Sequence, residues 1–392
     1  EFLPAADPKA IDEGLKYVNN DACYPSIITI GQYIVALKSG KYDLDNVSLL
    51  MSQTGGVCRA SNYVGFIRRA LESAGFKDIP VIAVSTQGIE SNPGFTYTLE
   101  MARKGIMSVL YGDLIMRLLY RVRPYEKICG SANLLAEHWI KRCKESVIIG
   151  DRKEYIENVQ QMVKDFDELE IDEDLIKPRV GIVGEILVKY HPMANNNLVG
   201  ILESEGAEAV VPDLTDFLMY SSYNATYKYE KLSKGLLPKI GSDIAIRYIE
   251  YYRKPVREAL RESDRFYEPL TVEQLVEEAE RLVSIGNQYG EGWLLTAEML
   301  ELIQDDAENI VLVQPFACLP NHITGKGVIK AIRNLYSQAN IVAIDYDPGA
   351  SEVNQLNRIK LMLSAAHDNV KGRQEKAKYR KNKLLKAHNG KS

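Results

Sequence analysis

The chain has 392 residues, 46% of them apolar and 26% charged, with a formal net charge of -5. That length exceeds the usual single-domain size and the apolar fraction can fill more than one core, so two globular lobes are expected. The acidic balance argues against a nucleic-acid footprint. No apolar run reaches the roughly eighteen residues of a membrane span, and no basic-then-apolar leader opens the chain, so a cytoplasmic protein without membrane or nucleic-acid partners is expected.

In chain order, the opening "EFLPAADP" lacks a methionine. It suggests a segment of a longer protein, with Glu1 and Phe2 left by cloning and a partner module upstream. "NNDACYPSIITIGQYI" places Cys23 just before Pro25, a residue suited to the first turn of a helix. The apolar run 46–52 predicts a strand, followed by a turn with Gly55 and Gly56, then Cys58, then a helix starting near Ser61 or Asn62 and stopping at Gly75. Further buried strands are predicted at 79–85, 179–186, 207–213, 308–316 and 339–347, with amphipathic helical patterns between several of them. This is the pattern of an α/β protein built from βαβ units.

Seven acids between Asp165 and Asp174 precede Pro178 and a new strand, which sets a boundary between lobes 1–177 and 178–370. The second lobe carries a helical insertion over about 221–306, tyrosine-rich as far as 270; those tyrosines are expected in core and inter-lobe contacts. In "YGEGWLLTAEM", Glu291 precedes Trp293, which is expected in the core. The tail 371–392 holds nine Lys or Arg against one Glu and reads as a solvated helix end.

The five cysteines are sparse and form no CxxC pair, which excludes a disulfide framework, a zinc ribbon and a ferredoxin pattern. Any metal site must come from distant parts of the chain. Cys23, Cys58 and Cys318 each sit in a loop entering a helix, and the last two leave the carboxyl end of a predicted strand, where ligands gather in open α/β sheets. A helix start favours thiolate, the form that binds iron, and Gly55 and Gly56 would let backbone amides approach a cluster. A lone cysteine is more often a small buried hydrophobe. Cys143, in a helical run, is read as structural, and so is Cys129, with a fourth-ligand role as its other reading.

Glu185 ends the third strand, where it serves either as an acid or base or as a helix cap. His322, near Cys318, serves either as a proton donor or in a hydrogen-bonded surface role. His138 and His191 lack metal-ligand spacing. "TGKG" at 324–327 is no phosphate loop, because Pro320 stands where the first glycine is needed and Gly327 replaces the Ser or Thr.

The wording of five motifs goes further: "CYPSIITIGQYI", "SQTGGVCRASNY", "GEGWLLTAEM", "QPFACLPNHITGKG" and "IDYDPGASEVNQLNRIKLML". Together they resemble the 2-hydroxyacyl-CoA dehydratase and benzoyl-CoA reductase superfamily, and more narrowly the C-terminal part of fused activase-dehydratase proteins, which are related to double-cubane cluster proteins. The resemblance implies two Rossmann-like or flavodoxin-like lobes with a 4Fe-4S cluster held by Cys23, Cys58 and Cys318. It also implies an ATP-driven activator, separate or fused upstream, that delivers low-potential electrons. A lyase of this type acts on a 2-hydroxyacyl-CoA thioester, whose ketyl radical expels the 2-hydroxyl. No ATP-binding module and no CoA motif is legible in this chain. A homo- or hetero-oligomer is expected. The other readings are an iron–sulfur reductase or electron-transfer component for another small molecule, and a cluster-free binding or regulatory module.

Overall fold

The computed structural model describes residues 3, 8–19, 22–53, 58–85, 95–96 and 98–389, with side chains up to Gly372 other than those of Gln53 and Ser85. Helices α1 (Lys9–Gly14) and α2 (Tyr24–Lys38) lead to strand β1 (Leu49–Gln53), helix α3 (Tyr63–Ala74) and strand β2 (Val81–Ser85). The two strands pair in parallel, Leu49 beside Val81. Ile27, Ile30 and Ile34 of α2 and Val64, Ile67 and Leu71 of α3 share one core with Leu49, Val81 and Ala83. Each such side chain, when fully buried, contributes about 1.5–3 kcal/mol.

Three helices follow without a strand: α4 (Leu99–Val122), α5 (Ser131–Ile149) and α6 (Arg152–Asp167). Their entries are set by short polar side chains, since Thr98 caps α4 by accepting from Met101 N and Asp151 caps α6 by accepting from Glu154 N.

Strand β3 (Arg179–Gly184), helices α7 (Ile186–Tyr190) and α8 (Leu198–Ser204) and strand β4 (Glu208–Val210) open the larger sheet. A helical stretch then intervenes, comprising α9 (Leu214–Leu232), α10 (Leu236–Glu262), α11 (Val272–Glu280) and α12 (Leu294–Gln304). Strand β5 (Asn309–Pro315), helix α13 (Ile329–Leu335), strand β6 (Asn340–Tyr346) and helix α14 (Glu352–Asn389) complete the order. The four strands are parallel in the order β4-β3-β5-β6.

This sheet is covered on both faces, which is why its strands read as unbroken apolar runs. Residues of α7, α8 and α14, with Tyr24 and Ile28 of α2, pack with Val180, Ile182, Val311 and Val313. On the other face α12 and α13 pack with Val183, Ile310 and Leu312. The chain is therefore a mixed α/β protein with more helix than strand and two parallel sheets.

All six predicted strands are present, each within a residue or a few of its expected bounds. The helical insertion is not a separate layer: Tyr252, Val256 and Leu260 of α10 join the core of α4, α5 and α6 across the expected boundary at 177. The tyrosines divide, with Tyr220 and Tyr252 buried and Tyr248 and Tyr251 exposed. Among the described residues no helix is long and apolar enough to cross a membrane.

The order of the larger sheet positions the site. From β3 the chain steps to β4 on one side, and β5 lies on the other, so the strand order reverses between β3 and β5. In open α/β sheets the crevice at such a reversal, beyond the carboxyl ends of the strands, is where ligands bind. Here those ends carry Glu185 and Cys318.

Candidate functional site

Gly184 ends β3 with φ of 155°, and a Cβ there would stand 1.8 Å from the Val313 carbonyl oxygen. Only glycine allows that approach, and it delivers Glu185 to the top of the sheet, where Glu185 N donates to Val313 O at 3.0 Å. Glu185 caps α7, accepting from Val188 N at 2.8 Å. Facing it is Glu291, held in a Gly-Glu-Gly turn whose two glycines have φ of 55° and 48°. One Glu291 oxygen accepts from Ile186 N and the other from Asn321 Nδ2, both at 3.1 Å.

Both carboxyls are raised above the usual range by burial, Glu185 to about 8 with the negative charge of Glu291 as its second cause. Two buried carboxylates cannot both ionise cheaply, so the pair holds a proton at neutral pH. Lys189 opposes the shift in both. Its Nζ is 2.8 Å from Glu298 Oε1, with both side chains almost fully buried.

Each of the three cysteines is within the electrostatic reach of this pair. Cys23 is the N-cap residue of α2, and its Sγ lies 3.2 Å from Tyr63 Oη. Cys58 precedes a short 3-10 turn, Arg59–Asn62, that runs into α3. Cys318 follows β5 after Ala317, whose φ of 57° turns the chain, and Asn321 Nδ2 donates to its Sγ at 3.3 Å. Leu319 to Leu335 then runs as consecutive helical turns, the first ones widened, rather than as one regular helix. All three thiols are half-buried.

Burial pushes Cys23 up to about 12 and Cys58 to about 11, and raises Cys318 further. The carboxylates add to this: Glu185 acts on all three sulfurs, and Glu291 on Cys58 and Cys318. Cys58 in turn raises Cys23. Helix starts were expected to favour thiolates, and the structure reverses that expectation for the metal-free protein. Backbone N–H groups of Ser26, Arg59, Ala60 and Asn321 do stabilise the thiolates, but less than burial destabilises them.

The remaining sequence candidates fall as follows. His322 is half-buried, and its Nδ1 donates to the Cys318 carbonyl at 2.8 Å, which leaves Nε2 of the neutral ring as the acceptor. Gly55 and Gly56 lie outside the described residues. Cys143 is buried in the helical core with Met107, Trp139 and Tyr155, and Cys129 is exposed in the turn before α5. Trp293 is fully buried, its Nε1 donating to Asn224 Oδ1. Asn321 and Tyr63 were not singled out from the sequence. Asn321 is a residue three positions after a cysteine at a helical entry, and that spacing is the signal that could have found it.

Among the described residues, no three His, Cys, Asp or Glu side chains converge closely enough to hold a single metal ion. A cluster spreads its ligands over several irons and takes them from further apart. No family model, curated protein or solved structure matches the chain.

Proposed function

We propose that this chain is the iron–sulfur component of a 2-hydroxyacyl-CoA dehydratase-type system, cytoplasmic, with two Rossmann-like or flavodoxin-like lobes. It receives low-potential electrons from an ATP-driven activator and acts on an acyl-CoA-like substrate. The observation that carries the reading is a set of contacts between distant parts of the chain: Asn321 donates to both Cys318 Sγ and Glu291, Glu291 also accepts from Ile186 N beside Glu185, and Cys23 Sγ meets Tyr63 Oη at the start of α3, the helix that Cys58 leads into.

The donor set fits a 4Fe-4S cluster. It offers three soft sulfurs, one from each of three helical entries, and Asn321 adds a side-chain donor to Cys318. The raised thiols imply that loading releases protons and grows stronger with rising pH. When bound, such a cluster supplies single electrons and an open iron that polarises a substrate oxygen.

The chain's own residues supply the proton chemistry. Glu185 and Glu291 hold a proton beside the sulfurs and can protonate a departing hydroxide. Asn321 ties Glu291 to Cys318, so the carboxylate pair keeps its place relative to the sulfur. His322 Nε2 is a second acceptor near the Cys318 mouth, where Phe316, Leu319 and Ile323 present an exposed apolar rim.

The test is iron and acid-labile sulfide per chain after reconstitution without oxygen. Cys58→Ser should lose most of its iron and Cys143→Ser should keep it. Equal iron in the two variants would overturn the assignment.

A further inference from the structure

Two of the three candidate sulfurs take a hydrogen bond from a buried side chain. Tyr63, 6% exposed, places its Oη 3.2 Å from Cys23 Sγ, although the two residues are 40 positions apart. Asn321 is fully buried and donates from Nδ2 to Cys318 Sγ at 3.3 Å. Neither bond belongs to a helix or a sheet.

Asn321 shows what this arrangement costs. Its nitrogen serves two acceptors, the sulfur and Glu291 Oε2, whereas its Oδ1 is buried with no donor. An unmatched buried acceptor weakens a fold, and a leucine in this place would remove it. The asparagine is explained by what its nitrogen does. Tyr63 is a similar case, since a phenylalanine would fill the same space. Among the described residues, Cys23 Sγ is the one hydrogen-bond partner of its hydroxyl. Tyr63 also opens α3, the helix that Cys58 leads into, so its bond ties the entry of Cys23 to that of Cys58.

We propose that Tyr63 and Asn321 are positioning residues that fix the sulfurs of Cys23 and Cys318 and raise the reduction potential of the cluster they hold. This rests on the cluster reading above. A thiolate has no proton, so with Cys23 as a ligand the bond runs from the Tyr63 O–H to the sulfur. Reduction adds negative charge, part of it on the ligand sulfurs, and a donor aimed there favours the reduced state. Both donors are buried, where water neither screens them nor replaces them. Asn321 also stands between Cys318 and Glu291, whose negative charge opposes reduction.

The test compares wild type with Tyr63→Phe, Asn321→Leu and Tyr24→Phe, all reconstituted without oxygen. It reads iron and sulfide content, circular dichroism and midpoint potential by titration followed by electron paramagnetic resonance. Tyr24 is the control: it follows Cys23 directly and is buried, but its ring packs in the core of the larger sheet. Tyr63→Phe and Asn321→Leu should each keep their iron and lower the potential, shifting the reduction equilibrium by about tenfold, or about 59 mV for one electron. Tyr24→Phe should leave it in place. Tyr63→Phe keeps the ring, so it decides the matter if Asn321→Leu fails to fold. An iron-loaded variant of either kind with the wild-type potential or a higher one overturns the proposal and leaves the cluster reading standing. The same lowering in Tyr24→Phe overturns it too, since the loss of any nearby hydroxyl would then suffice. So does iron lost with circular dichroism unchanged, which would make these side chains part of what binds iron rather than of what tunes it. A wild-type chain that takes up no iron overturns the cluster reading itself, and this proposal with it.

Discussion

Lys189 is the cation of a buried acidic neighbourhood. Its ammonium contacts Glu298 at 2.8 Å and opposes the upward shift of Glu185, Glu291 and Glu298, the last of which burial still pushes up to about 7. Such a pair contributes little net stability, because both ions lost their water to form it. Breaking it is a different matter, since the remaining charge stays buried alone. Glu298→Leu, which leaves the buried ammonium without its partner, should therefore destabilise the protein by about 3–5 kcal/mol, and adding Lys189→Met should recover most of that loss. Urea unfolding of the single and double variants measures the coupling directly. Additive losses would mean that each side chain is held by other partners.

The connection from β3 into α7 is one element with two tasks, since Glu185 both caps the helix and faces Glu291. Its carboxyl stands near 8 in the folded chain, against the usual range in the unfolded one. A raised carboxyl stabilises the fold fully below the unfolded value, and this stability is lost as pH rises through the folded value. Between pH 5 and 8, roughly, the native chain holds a proton that the unfolded chain has released, so stability falls by up to a few kcal/mol at about 1.4 kcal/mol per pH unit. Glu185→Gln should flatten that slope in unfolding midpoints measured across the window; an unchanged slope would assign it to other groups. The strands of this element and its neighbours were legible in the sequence because parallel strands buried on both faces have to be continuously apolar. Glu185 was legible as a strand end for the same reason. Its partner was not, because Glu291 and Glu185 are joined only by tertiary packing, and no local pattern encodes a contact across that separation. The outward apolar positions of α10, Leu237, Ile244 and Tyr248, were not legible for the opposite reason: in the sequence they look like core, and only the fold leaves them outside.

Over the whole molecule the five cysteines divide into three environments, and this division can be measured without metal. Cys129 is exposed; Cys143 is packed in the helical core, where burial pushes it up to about 12; Cys23, Cys58 and Cys318 are half-buried at three helical entries and each is raised further by Glu185. Only thiolate reacts quickly with an alkylating reagent, and burial hinders access as well as ionisation. In the iron-free native chain near pH 7.5 one thiol should therefore react fast and four slowly, with Cys129 identified as the fast one by mass spectrometry. The slow four should not be uniform. If Cys23, Cys58 and Cys318 share one site, the opening that exposes one exposes the others, and their labelling should follow a common rate distinct from that of Cys143, which needs the helical core to open. Cys58 has the lowest of the three values, so any spread should appear as Cys58 leading. Three unrelated rates, or Cys318 reacting as fast as Cys129, would mean that the thiols belong to separate regions and that the carboxylate pair is not their common centre.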